Sequence, residues 1–211
     1  MLEISRRSFM AGCAASALLA LSPALALAQE AAVNLADLHA PGQLGEKVLG
    51  PAEAPVTVVE YASLSCPHCA EFHRTTFGDF KAKYVDTGKV RYIFRDFPLN
   101  APAYAGSMVA RCAPADRYFD VLNAYFGDQQ AWLTAPNLKE ATLQRAQAFG
   151  FTPQSFDACI SNQALFSGLE AEKTRGLGFG VQATPTFFIN GKKFEGALSL
   201  AQLDEAIQPL L

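Results

Sequence analysis

The hydrophobic period of the chain changes twice between Ala54 and Phe97, and two cysteines sit at the first change. Residues 54–63, APVTVVEYAS, are rich in β-branched side chains and read as a short buried strand. From Cys66 the apolar positions take helical spacing. Cys69, Phe72, Thr76, Phe80 and Lys83 or Tyr84 recur three or four apart, with Glu71, Arg74, Asp79 and Lys81 between them. This predicts one amphipathic helix running to DTGK, residues 86–89. KVRYIFRDF, residues 89–97, alternates again and reads as a second strand. Strand, helix and strand at this spacing form a βαβ unit.

The middle third turns helical, with candidate helices over 103–112, 115–127, 137–149, 153–161 and about 163–177. Thr152 before Pro153 has the form of an N-cap with proline in the first turn. Residues 186–191 and 192–196 then pair as a hairpin around Asn190-Gly191, a type I′ turn signal, and a last helix covers 198–208. The order is βαβ, a helical block, then ββα, so an α/β fold is expected. Residues 29–44 are small and polar and read as a leader or linker.

The N-terminus has a different character. Arg6 and Arg7 precede an apolar run from Phe9 to Ala28 that ends in the small-x-small pattern Ala26-Leu27-Ala28. Residues 1–28 therefore read as an export signal cleaved after about Ala28. The paired arginines followed by an aromatic residue resemble a Tat signal, while an ordinary Sec signal carrying two arginines is the alternative. Cys13 lies too early in the run for a lipid-attachment site. Cleavage leaves four cysteines, Cys66, Cys69, Cys112 and Cys159, and an even count in an exported protein favours disulfides. We expect a periplasmic protein. The net charge is −3 and no lysine or arginine run is present, which argues against a nucleic-acid partner.

The chemistry centres on Cys66-Pro67-His68-Cys69. Pro67 suits the first helical position, so Cys66 belongs at the helix mouth, where unpaired N–H groups and the macrodipole favour an anion. A thiolate there should have a depressed pKa. Cys69, one turn on, shares the same face and is the shielded partner. His68 between them would further stabilise the thiolate. Stabilising the reduced form makes the disulfide a stronger oxidant. Zinc would need four ligands, and His39 and His73 fit no ligand spacing. His73 falls on the apolar helix face and reads as a packed core residue. A purely structural disulfide is the other alternative. Cys112 and Cys159, 47 positions apart on two predicted helices, are expected to form a second, structural disulfide, with unpaired core thiols as the alternative.

With EYASLSCPHCAEFH, then RDFPLN, then GVQATPTFFING, the chain resembles the DsbA-like thiol:disulfide oxidoreductases of bacterial envelopes. The resemblance covers nearly all of the chain after the signal. It implies a thioredoxin-like fold over 45–211 with an inserted helical subdomain at about 101–178. It also implies that Pro185 is cis and stacks on the active-site disulfide, with Thr184 near the sulfurs. It places a buried acid, Glu60, beside Cys69 as a proton relay. The implied activity is oxidation of reduced exported proteins by the Cys66–Cys69 disulfide, with reoxidation by a DsbB-like membrane quinone oxidoreductase. The reaction needs no cofactor and no metal. No separate oligomerisation segment is evident, so a monomer is expected. A disulfide isomerase or reductase of the same fold, and a copper-holding thiol chaperone, are the alternatives.

Overall fold

The computed structural model describes residues 33–211; the segment read as an export signal lies outside them. A short helix, α1 (Leu35–His39), is followed by strands β1 (Lys47–Leu49) and β2 (Val56–Ala62). Helices α2 (Pro67–Thr75) and α3 (Phe77–Phe80) then lead to β3 (Val90–Asp96). Six helices follow: α4 (Ala101–Cys112), α5 (Tyr118–Gly127), α6 (Gln129–Leu133), α7 (Leu138–Gln147), α8 (Pro153–Ile160) and α9 (Gln163–Gly178). The hairpin strands β4 (Thr186–Ile189) and β5 (Lys192–Glu195) and helix α10 (Leu200–Ile207) end the chain. The fold is α/β and thioredoxin-like, with a mixed sheet and a helical block between β3 and β4.

The sheet order is β1-β3-β2-β4-β5, with β2 parallel to β3 and the other pairs antiparallel. Both faces of the central strand are covered, and side-chain alternation gives each face a different job. Val56, Val58 and Ala62 enter the larger core with Tyr92, Phe94, Phe72, Phe77 and Phe126. Val59 and Tyr61 point the other way, into a second cluster with Leu38, Ile93, Phe97, Val181 and Phe188. Glu60 shares the parity of Val58 and Ala62, so its carboxylate faces the larger core, under α2.

Three local features differ from the sequence reading. The helix expected to run unbroken from Cys66 to DTGK breaks at Thr76, which has φ −124° and ψ −40°. Thr75 Oγ1 donates back to the Glu71 carbonyl at 2.8 Å, which loosens the last turn. The chain resumes as α3 and a π-helical turn over Lys81–Val85, which packs Phe77, Phe80 and Tyr84 against the sheet. The stretch read as a leader carries α1, because Leu38 fills the second cluster and is fully buried. Helix α6 was not anticipated; its Trp132 is buried and donates Nε1–H to the Tyr125 carbonyl at 3.0 Å. The hairpin turn takes the expected form: Asn190 and Gly191 have φ of 44° and 84°. Asn190 Oδ1 also accepts the Thr57 N–H at 2.8 Å, which ties the turn to β2.

A disulfide joins Cys112 at the end of α4 to Cys159 in α8. On the sheet's second face Arg95 is 2% exposed. It pairs with Glu172 Oε1 at 2.8 Å and Glu46 Oε1 at 2.6 Å, and donates to the Ala40 carbonyl at 3.1 Å. This one guanidinium joins β3, α9 and residues 40–46, so removing it leaves Glu46 and Glu172 only their longer contacts, to Arg91 at 3.8 Å and Arg175 at 4.0 Å. Arg95→Met should destabilise the protein by about 3–5 kcal/mol, read as a lower denaturant midpoint at unchanged slope. A shift below about 1 kcal/mol would show that the cluster is not structurally important.

Candidate active site

The sequence around Cys66 builds the site locally. Cys66 is the N-cap of α2, with extended backbone (φ −84°, ψ 121°), and Pro67 is the first helical residue. No side chain caps this helix in the usual way, so its first N–H groups remain directed at the cysteine. Cys66 is 6% exposed and Cys69 is fully buried one turn on. Both are free thiols here.

The two sulfurs are pushed apart in acidity. The Cys66 pKa is lowered to about 5, chiefly by the hydrogen bond from the Cys69 thiol, against the opposing effect of burial. The Thr184 side chain and the backbone N–H groups of Cys69 and His68 add to the lowering. The Cys69 thiol is raised well above the ordinary value, first by burial, then by the Cys66 thiolate and the charge of Glu60. Protonated Cys66 donates to the Thr184 carbonyl at 3.0 Å, while Thr184 Oγ1 is buried without a partner.

The peptide bond between Thr184 and Pro185 is cis. Pro185 is buried and its carbonyl accepts the Gly196 N–H at 2.9 Å. The two residues before Thr184, Gln182 and Ala183, are exposed, and the Ala183 carbonyl accepts from Thr186 Oγ1 at 2.7 Å.

Glu60 is fully buried. Its Oε2 accepts from the Tyr92 hydroxyl at 2.5 Å, and its Oε1 lies 3.2 Å from His73 Nε2. His73 stacks on Phe126 with ring centroids 4.3 Å apart, and its Nδ1 has no partner. His73 thus packs in the core as the helix face implied, and it also engages the buried acid. That pairing and the role of Tyr92 were not read from the sequence. The spacing of His73, four residues after Cys69, carried the only signal.

His68, expected to support the Cys66 thiolate, has its side chain 70% exposed, with Nδ1 3.6 Å from Glu71. Its backbone N–H, held at the helix mouth, is the part that supports the thiolate. Among the described residues no three His, Cys, Asp or Glu side chains converge as metal ligands.

Residues 43–209 match the thioredoxin family. The chain is 32% identical over 172 residues to a candidate protein-disulfide oxidoreductase of Rickettsia conorii, covering 79% of this chain and 60% of that protein. It is 25% identical over 179 residues to the disulfide bond formation protein D of Bacillus subtilis, covering 80% and 78% respectively. The crystal structure of alpha-DsbA1 from Wolbachia pipientis superposes with a TM-score of 0.75 at 32% identity, covering 84% of this chain and 96% of that one. The chain spans about three fifths of the length of the Rickettsia relatives it matches.

A thiol whose folded pKa is depressed adds stability above that pKa and loses it as pH falls through about 5. Between pH 7 and pH 5 the unfolded chain keeps its proton while the folded thiol takes one up. Reduced wild-type protein should therefore lose about 2 kcal/mol relative to reduced Cys66→Ser over that interval. Paired denaturation curves at the two pH values check this, and a constant difference would mean Cys66 ionises like a free cysteine.

Proposed function

The chain belongs to the DsbA-like thiol:disulfide oxidoreductases of the thioredoxin superfamily, and we propose that it donates its Cys66–Cys69 disulfide to reduced proteins folding outside the cytoplasm. One observation carries this reading. A single low-pKa sulfur is held at the mouth of α2, opposite a buried, high-pKa partner and beside the cis Thr184-Pro185 bond. A substrate thiolate attacks Cys66 of the oxidised pair. The Cys66–Cys69 bond breaks, a mixed disulfide forms on Cys66, and Cys69 leaves as a thiolate that takes up a proton. A second substrate thiolate then attacks the substrate sulfur of the mixed disulfide. Cys66 departs as a stable thiolate, and the substrate gains a disulfide while the protein gains two electrons.

Magnitude favours this direction. Holding Cys66 at about 5 stabilises the reduced state at pH 7 by about 3 kcal/mol over a free cysteine, which is about 60 mV toward oxidising power. Pro67 keeps the helix mouth open. The exposed residues Gln182 and Ala183 give an extended substrate segment a place to lie beside the cysteines. Glu60, gripped by Tyr92 and His73, exchanges a proton with Cys69. Reoxidation then falls to a membrane quinone oxidoreductase of the DsbB type. The signal-like residues 1–28 and the Cys112–Cys159 disulfide support export to an oxidising compartment, with the Tat route suggested by Arg6 and Arg7. Among the described residues no helix is long and apolar enough to cross a membrane. A monomer suffices for the reaction.

Cys69→Ser should trap a mixed disulfide on Cys66 that is seen on non-reducing gels, and Cys66→Ser should trap none. The wild-type protein should oxidise reduced ribonuclease much faster than it reshuffles the scrambled form. The opposite ranking would favour isomerase activity. Glu60→Gln should slow reoxidation of the reduced protein at pH 7 by roughly 10- to 100-fold, with little effect on the Cys66 pKa. Rapid mixing with oxidised glutathione measures that step, and an unchanged rate would remove Glu60 from it.

A further inference from the structure

One polar side chain of the helical block hydrogen-bonds to the backbone that carries Cys66. Gln129, the first residue of α6, is 5% exposed. Its Nε2 donates to the Leu64 carbonyl at 2.8 Å and to the Cys66 carbonyl at 2.9 Å. These two carbonyls flank Ser65 in the loop that delivers Cys66 to the helix mouth. The Cys66 carbonyl also accepts the first helical hydrogen bond, from Ala70 N–H at 3.1 Å.

The loop is gripped from its other side by Ser63. The Ser63 carbonyl accepts Cys66 N–H at 3.0 Å, and its Oγ accepts the N–H groups of Ser65 and Leu99, each at 3.3 Å. Gln129 completes the clamp, and it is itself braced. Asp128 is ion-paired with Arg145 of α7, and Trp132 bonds back to α5. A primary amide suits the place because one nitrogen carries two donors, enough for two buried carbonyls. A glutamate would point acceptors at acceptors, and an apolar side chain would leave both groups without this donor.

We propose that Gln129 is a positioning residue for the redox reaction: by holding the Leu64 and Cys66 carbonyls it fixes the backbone that aims the first N–H groups of α2 at the Cys66 sulfur. The helical block thereby tunes the cysteine without touching any reacting atom. The proposal rests on the redox reading given above. N–H donation weakens steeply with misdirection, so a small tilt of this loop changes how well the thiolate is solvated by backbone.

The test uses Gln129→Met, close in size but without donors, and Gln129→Asn, whose shorter amide cannot span both carbonyls. Ultraviolet titration of the thiolate and the equilibrium with glutathione are measured on the intact chain, with melting curves alongside. Gln129→Met should raise the Cys66 pKa by about one unit and move the glutathione equilibrium about tenfold toward the oxidised protein. Gln129→Asn should give a smaller shift in the same direction, and it decides the matter alone if the methionine variant does not fold. Folded variants that melt lower but keep the wild-type pKa and equilibrium would overturn the proposal, reducing Gln129 to a brace. A wild-type chain that does not exchange with glutathione would overturn the redox reading, and this proposal with it.

Discussion

An anion held where little water reaches it has to be solvated by the protein, and the site at Cys66 follows from how that is done. Cys66 is only 6% exposed, so bulk water contributes little. Its stabilising donors are the Cys69 thiol, the Thr184 side chain and two backbone N–H groups at the start of α2. None of these carries a full positive charge. The site therefore depends on direction, because dipoles stabilise a charge only when they point at it. That requirement explains the rigid surroundings: Pro67 opens the helix, Ser63 and Gln129 clamp the loop, and Thr184 lies against the sulfur.

The same direction-dependence separates the two cysteines. Cys69 sits one turn inside the helix and is fully buried, and burial, the thiolate and Glu60 outweigh its one backbone donor, from Ser63. Its proton is retained while that of Cys66 is readily lost. In the proposed reaction this asymmetry lets one sulfur meet the substrate and leave easily while the other stores a proton. The oxygens of Glu60, the proposed partner in that proton exchange, are held by Tyr92 and His73, and the His73 ring stacks on Phe126.

The sheet separates chemistry from anchoring by parity. On β2, Glu60 faces the layer that contains α2, while its neighbour Tyr61 faces the layer that contains Leu38 and Phe188. On β3, Tyr92 points toward the redox side, and Arg95 points away from it to collect Glu172 and Glu46. A one-residue slip between these strands would exchange the two sets and place a guanidinium behind the active site.

Much of this was legible in the chain itself, wherever the signal is local. The change of period at Cys66, proline at the first helical position, and Asn190-Gly191 between two short strands each specify backbone over a few residues. They set the helix mouth and the hairpin locally, while the acidity of Cys66 also draws on Thr184, 118 residues away in the chain. Other features needed the folded molecule. The break at Thr76 reflects how Phe77, Phe80 and Tyr84 pack beneath the sheet, and the exposed His68 ring follows from which way the helix surface faces. Gln129 meets Cys66 from 63 residues away, and Arg95 meets Glu172 across 77. Sequence spacing determines which groups share one helix face or one side of a strand. Only tertiary packing decides which side chain from elsewhere meets them, because such contacts depend on how whole elements dock rather than on any local backbone preference.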